Sequence, residues 1–191
     1  MGENKSVRDI MSPIEEYDTI DSGACLSDAI KMLKENYRKI DSGVPGNYHK
    51  TLLIKDAAEK IIGKLSLFDL IRGLVPEPAK EPEHSRAYYS VLSSRALEVA
   101  EQVGDVQERF KWLHTSFFDL VKQESQKKVK DVMSPIHPLL EENDTISKAI
   151  YIIFKEHIRQ AMVMRKSEIV GMVNIMDIFP VLLEIAAEND F

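Results

Sequence analysis

Two short segments of the sequence carry the residues that are best suited to binding chemistry. Each has a hydroxyl or amide side chain followed three positions later by a carboxylate, Ser66 with Asp69 and Asn174 with Asp177. A carboxylate can accept hydrogen bonds from the two adjacent hydroxyls of a ribose, as an acidic residue does in dinucleotide-binding folds. A hydroxyl at the start of a helix, beside free backbone N–H groups, can hold a phosphate. Both segments are therefore candidate nucleotide sites.

The same two pairs also have a purely structural interpretation. Ser and Asn are favoured N-cap residues, and an acidic residue in the first turn stabilises a helix start. Capping alone would account for Ser66 with Asp69 and for Asn174 with Asp177. The pattern by itself leaves nucleotide binding and helix capping open.

The remaining reactive side chains do not form a recognisable catalytic or metal-binding pattern. The five histidines are scattered, at His49, His84, His114, His137 and His157, and Cys25 is the single cysteine. The sequence contains no GxxxxGK[ST] loop, no GxGxxG fingerprint and no HExxH helix. We therefore predict a protein that is not an enzyme, with no catalytic residues, no metal site and no obligatory cofactor.

An internal repeat organises the elements that must position the two candidate sites. The octapeptide VRDIMSPI at Val7–Ile14 returns as VKDVMSPI at Val129–Ile136. A segment with apolar residues at helical spacing follows in each copy, at Leu26–Lys39 and at Ile146–Gln160. A match of this length predicts two copies of one structural unit.

The later part of each copy predicts a strand and then a strand–helix unit. The short apolar strands fall at Thr51–Ile54 and Ala161–Met164. The closing units run through a glycine into a helix, at Ile61–Leu74 and Ile169–Leu183. Two such α/β units are expected to bury their apolar sheet faces against each other, which gives pseudo-twofold symmetry and two equivalent clefts.

The copies differ by a loop and are separated by an insertion. Residues 39–50 include DSGVPGNYH, a composition typical of a surface loop. The segment PEPAKEPE at Pro76–Glu83 predicts an extended linker, and the apolar residues from Leu92 to Leu120 follow a heptad spacing. This spacing predicts an inserted long helix or helical hairpin that packs either on its own module or on a second subunit.

Charge and hydropathy limit the partners and the compartment. The formal net charge is −6, and the one basic run, Lys127, Lys128 and Lys130, is short, so nucleic acid is not expected as a partner. No apolar run is long enough to span a bilayer, and Met1–Arg8 is polar. We therefore expect no membrane contact and a cytoplasmic location.

The paired MSPI strands, the helix after them and the closing glycine–strand–helix unit resemble the cystathionine-β-synthase (CBS) domain, whose copies pair into a Bateman module. The resemblance covers both ends of the chain. The family pattern of glycine, then Ser or Thr, then Asp at intervals of three is met in the first copy by Gly63, Ser66 and Asp69. The second copy has Gly171 and Asp177, with Asn174 between them.

The resemblance implies an α/β fold of two CBS repeats with pseudo-twofold symmetry, plus the inserted helix or hairpin between them. The expected division is repeat 1 at 1–75, the linker and helical insertion at 76–128, and repeat 2 at 129–191. Residues 86–128 exceed the short connection usual in the family.

The resemblance also implies a function, a regulatory module that binds AMP, ADP or ATP in the cleft between its repeats. S-adenosylmethionine is an alternative regulatory ligand, and the site at Ser66 and Asp69 is the preferred one. The adenine walls implied by the family are Pro13, Ile14, Pro135, Ile136 and His137. A homodimer that signals through dimer or partner contacts is expected. The alternative is a ligand-free scaffold that recruits a protein client through the heptad segment.

Overall fold

The computed structural model of the protein describes residues 5–75 and 111–189. These residues form the predicted mixed α/β fold, with two four-stranded sheets and helices on their outer faces. The elements of the first repeat are β1 (Ser12–Pro13), β2 (Thr19–Asp21), α1 (Leu26–Asp41), β3 (Thr51–Lys55), β4 (Ile61–Ser66) and α2 (Leu67–Gly73). Those that follow are α3 (Phe117–Glu124), β5 (Ser134–Pro135), β6 (Leu139–Glu141), α4 (Ile146–Lys155), β7 (Gln160–Arg165), β8 (Glu168–Asn174) and α5 (Ile175–Asn189).

The two repeats exchange their leading strands. One sheet has the order β2-β3-β4-β5 and the other β1-β8-β7-β6, so each sheet ends on a strand from the other repeat. The segments before these strands are anchored in the same way. The Val7 N–H donates to the Asp144 carbonyl at 2.8 Å, and the Val129 N–H donates to the Ala24 carbonyl at 3.0 Å. Each repeat therefore completes the sheet of its partner.

A glycine in each closing strand permits this exchange. Gly63 on β4 pairs with Pro135, and Gly171 on β8 pairs with Pro13. A Cβ atom at Gly63 would lie 2.8 Å from the Ser134 carbonyl oxygen, and one at Gly171 would lie 2.8 Å from the Ser12 carbonyl oxygen. Only glycine allows the exchanged strand to approach this closely.

In the part of the chain that the structure describes, three apolar clusters hold the fold together. Each sheet has one cluster under its own helices, and that cluster includes a valine from the other repeat, Val129 under the first sheet and Val7 under the second. The third cluster lies between the two sheets and is built from Tyr17, Leu53, Met162 and Met172. The sheets thus bury their inner faces against each other, as the repeat pattern predicts.

Helix α1 shows why the sequence folds in this way locally. Its buried residues Leu26, Ala29 and Leu33 recur at helical spacing and face the sheet. Buried Asn36 on the next turn donates through its amide to Asp18 at 2.6 Å and to the His49 carbonyl at 3.2 Å. These bonds fix the end of the loop at 42–50, which lies in the region predicted to be a surface loop.

Two boundaries differ from the sequence prediction. The helix predicted over Ile146–Gln160 ends at Lys155, because His157 adopts a positive φ of 51° and Gln160 already begins β7. Within the heptad segment, Ser116 caps a new helix through a bond from the Asp119 N–H, so the apolar stripe is interrupted before α3. The part of the stripe at 92–110 lies outside the described residues.

Candidate functional site

The first cleft is formed where β4 meets α2. Ser66 caps α2 by accepting a hydrogen bond from the Asp69 N–H at 3.3 Å, and Asp69 Oδ2 accepts from the Ser66 N–H at 2.8 Å and hydroxyl at 2.7 Å. The other oxygen, Oδ1, accepts from the Ser134 hydroxyl of the exchanged strand at 2.6 Å and lies 3.6 Å from the Arg72 guanidinium. Asp69 is only 2% exposed. Both carboxylate oxygens of this cleft are therefore already occupied.

The second cleft has the same construction but a freer carboxylate. Asp177 Oδ2 accepts from the Asn174 N–H at 2.7 Å, and Asn174 Oδ1 accepts from the Met176 N–H at 3.0 Å. Among the described residues none donates a hydrogen bond to Asp177 Oδ1. Asp177 is half-buried, and burial raises the pKa of its carboxyl group above the ordinary value. An unpaired, partly desolvated carboxylate oxygen favours a hydrogen-bond donor from a ligand.

The two clefts differ in the surroundings of the serine on the exchanged strand. In the first cleft the exchanged strand supplies Ser134 to the carboxylate, whereas Ser12, its counterpart on β1, bonds to the hydroxyl of buried Tyr17. Residues 136–139 of the second repeat, Ile-His-Pro-Leu, contain no hydroxyl that could compete for Ser134. The Ser134 hydroxyl therefore binds Asp69, whereas Ser12 is beside Tyr17 and Asp177 Oδ1 stays open.

The loop at 42–50 brings a histidine to the second cleft. The His49 ring stacks on Tyr17 with 3.8 Å between ring centroids, and its Nε2 lies 3.4 Å from Glu16 Oε2. The charge of His49 is close enough to lower the pKa of Asp177, which opposes the larger effect of burial. Burial, aided by the charge of Asp177, raises the pKa of Tyr17 to about 12.

The predicted adenine walls lie on the exchanged strands and the turns after them. Pro13 is beside Gly171 on β8, and Pro135 is beside Gly63 on β4. The next residues, Ile14 and Ile136, pack on the cluster between the sheets. His137 is exposed. The register therefore associates Pro13 and Ile14 with Asn174 and Asp177, and Pro135, Ile136 and His137 with Ser66 and Asp69.

A polar bridge joins the two clefts across the pseudo-twofold axis. Thr51, which pairs with Ser66, and Gln160, which pairs with Asn174, hydrogen-bond to each other at 3.2 Å. The Lys64 ammonium donates to the Gln160 carbonyl oxygen at 2.5 Å. Lys64 is 9% exposed, and burial lowers its pKa to about 8, with a smaller opposing effect from Asp69.

Sequence reasoning missed Ser12, Ser134, Lys64 and the Thr51–Gln160 bridge. The serines could have been identified from the MSPI repeat, because they occupy the same position in both copies. Lys64 gives a weaker signal, as a lysine within an apolar strand where the second copy has Met172. Only the folded arrangement shows that these residues meet.

Two further observations concern the described ranges, 5–75 and 111–189. They contain no group of three or more His, Cys, Asp or Glu side chains that could hold a metal ion. None of their helices combines the length and the apolar character needed to cross a membrane.

Comparison with known proteins identifies the fold. Residues 129–184 match the family model of the CBS domain. No curated protein matches the chain. Among solved structures, CBSX2 in complex with AMP is similar at 15% identity and a TM-score of 0.54, over 94% of this chain and 97% of that one.

Two other solved structures give the same result. The CBS-pair protein CBSX2 from Arabidopsis thaliana is similar at 15% identity and a TM-score of 0.55, over 96% of this chain and 98% of that one. The CBS-domain containing protein ATU1752 from Agrobacterium tumefaciens is similar at 13% identity and a TM-score of 0.57, over 95% and 96%. This chain therefore has the fold of a tandem CBS-domain pair, and its residues 129–184 match the CBS-domain family.

Proposed function

We propose that this protein is a non-catalytic regulatory module that binds an adenosine nucleotide, AMP, ADP or ATP, between its two repeats. The ribose hydroxyls donate to the carboxylate at the start of the closing helix of a repeat. The open oxygen of Asp177 is the observation that carries the proposal. CBSX2, whose fold this chain shares, has been solved in complex with AMP, and this supports an adenosine nucleotide as the ligand class.

We expect the cleft at Asp177 to bind the nucleotide more tightly than the cleft at Asp69. A ribose at Asp177 gains hydrogen bonds to a carboxylate oxygen that has no partner among the described residues. At Asp69 it must first displace the Ser134 hydroxyl, which lies 2.6 Å from Oδ1. A hydrogen bond to a charged group contributes about 1.5–3 kcal/mol, so this displacement costs the first cleft roughly a factor of ten or more in affinity. The preference is therefore opposite to the order expected from the Ser/Thr pattern.

Calorimetric titration of the full chain with AMP, ADP, ATP and S-adenosylmethionine tests the proposal. Asp177→Asn is the informative variant, because its amide oxygen can still accept the Asn174 N–H and keep the cap while the charge is removed. We expect AMP affinity to fall at least about tenfold, as one or two charge-assisted hydrogen bonds are weakened. Unfolding transitions of the variant and the wild type should coincide within a few degrees.

A matched control comes from the first repeat. Asp69→Asn places an amide against the donors of Ser66, so it should lower stability but leave AMP affinity within about threefold. Equal AMP affinity of wild type and Asp177→Asn would refute the assignment to this cleft. If none of the four ligands binds the wild type, the nucleotide proposal fails. The alternative of a ligand-free scaffold acting through the segment at 92–120 then takes its place.

We further propose that the module forms a homodimer through its outer helices. Large apolar side chains are exposed along α2, α4 and α5, namely Leu67, Phe68, Ile71, Ile150, Tyr151, Phe154, Met176, Phe179, Leu182 and Leu183. Large exposed apolar side chains, when they form a patch, mark an interaction surface. A twofold dimer pairs the same patch on both chains.

Sedimentation analysis at micromolar concentration tests the dimer. We expect a dimer for the wild type and a monomer for Phe179→Glu, because the new charge cannot be buried unpaired. Val44→Glu, in the exposed loop of the first repeat, is the control and should remain dimeric. A monomeric wild type would refute this assembly.

A further inference from the structure

Lys64 is a buried cation whose present contacts do not explain why a charge is there. It lies opposite Leu53 in the β3–β4 register, on the sheet face that packs against the other repeat. The equivalent position of the second repeat, Met172, is fully buried and apolar. The same packing is therefore possible without a charge, and replacing a buried ion by an apolar group of similar size often stabilises a fold.

The partners of the ammonium group leave it short of negative charge. One of its N–H groups donates to the Gln160 carbonyl, which carries only a partial charge. The residues paired with Lys64 are Leu53 on β3 and Ser134 on β5, and its hydrogen-bond acceptor is Gln160 on β7; all three are uncharged. Within residues 5–75 and 111–189, Asp69 on α2 is the charged residue that acts on the ammonium, and its effect is smaller than that of burial.

The ammonium group lies where the two clefts meet. Its acceptor Gln160 pairs with Asn174, the residue that leads into Asp177, although Lys64 belongs to the strand that ends at Ser66. A nucleotide whose ribose is bound by Asp177 can direct its 5′-phosphate towards this polar bridge. The flexible four-carbon stem lets the amine leave the Gln160 carbonyl and reach an anion.

We infer that Lys64 is the phosphate-binding residue of the Asp177 cleft and selects phosphorylated nucleotides over the free nucleoside. This inference rests on the proposed function and adds the chemical group that the module recognises. The bound phosphate provides the negative charge that the residues around the Lys64 ammonium lack. Lys64 thereby makes the first repeat contribute to a site whose carboxylate belongs to the second.

Proton uptake provides a readout that a purely structural lysine would not show. With its pKa of about 8, Lys64 is roughly half protonated at pH 8 in the free protein. A bound phosphate dianion raises that pKa, so binding draws in up to about half a proton per ligand. AMP itself is fully ionised there, because its second phosphate pKa is about 6.

The test compares adenosine and AMP on wild type, Lys64→Met and, as a control, Lys34→Met on the exposed side of α1. Calorimetry at pH 8 in two buffers of different ionisation enthalpy gives both affinity and proton uptake. We expect wild type and Lys34→Met to bind AMP at least about tenfold more tightly than adenosine, with proton uptake on AMP alone. In Lys64→Met the preference for AMP and the proton uptake should disappear while adenosine affinity is unchanged.

If wild type shows no preference for AMP, or Lys64→Met keeps that preference, the inference is overturned while nucleoside binding at Asp177 stands. If neither compound binds wild type, the proposed function itself fails.

Discussion

Replacing Lys64 by methionine should stabilise the protein at neutral pH. Burial lowers the pKa of this lysine from 10.5 to about 8. A difference of this size corresponds to about 3 kcal/mol of unfavourable free energy for the charged folded state. Loss of the bond to the Gln160 carbonyl offsets about 1 kcal/mol of the gain. The net gain of about 2 kcal/mol should raise the melting temperature by about 4–8 °C at pH 7.

The pH dependence of stability distinguishes removal of the buried charge from improved packing as the cause of the gain. Between pH 8 and 10.5 the unfolded chain keeps a proton on Lys64 that the folded protein has released. Wild-type stability therefore rises with pH through this window relative to Lys64→Met, and the advantage of the variant disappears by its upper end. Urea unfolding at pH 7 and pH 10, with Lys34→Met as control, measures the change. A Lys64→Met protein that is less stable than wild type at pH 7, or whose advantage is the same at both pH values, would refute the reasoning.

Three other substitutions test individual contacts, two of them at the clefts. Ser134→Ala should cost about 1–2 kcal/mol in urea unfolding and free Oδ1 of Asp69, so that calorimetry gives a higher AMP stoichiometry; an unchanged stoichiometry would contradict the role of Ser134. Tyr17→Phe should release the Ser12 hydroxyl towards Asp177 and weaken AMP binding about two- to fivefold, whereas the control Tyr48→Phe should have no effect. Hydrogen bonding to Arg165 is the main cause of the lowered pKa of Glu142, so its stabilising effect is complete above pH 4.5 and is lost as pH falls through the lower folded value. Glu142→Gln should therefore unfold at lower urea than wild type at pH 7 and at similar urea near pH 3; equal midpoints at pH 7 would count against this pair.

The fold could be predicted from the sequence because each strand and helix is indicated twice, once in each copy of the repeat. Each strand and helix of one copy is supported by its counterpart, and the glycine before Ser66 recurs before Asn174. The boundary of α4 was predicted too long because Ile158 continues the apolar spacing, although the chain has already turned at His157. Apolar spacing indicates which residues are buried but not where the backbone leaves the helix.

The site was predicted less completely, because it depends on contacts between residues far apart in the chain. Asp69 and Asp177 could be identified as equivalents, and capping and binding could not be separated from their pattern. Which carboxylate is open depends on whether Tyr17 engages the serine of the exchanged strand, and that contact is set by packing between the sheets. The Thr51–Gln160 bridge likewise joins residues that are 109 positions apart.

The exchange of leading strands sets the order in which the protein can be completed during synthesis. The outer edge of β4 has no partner until Ser134 and Pro135 have been made. The first sheet therefore remains unfinished during the translation of residues 67–133. An unpaired edge is a template for pairing with another chain, and nascent chains on one messenger lie close together. Once β5 pairs with β4 of the same chain, this edge is no longer available for pairing with a neighbouring copy.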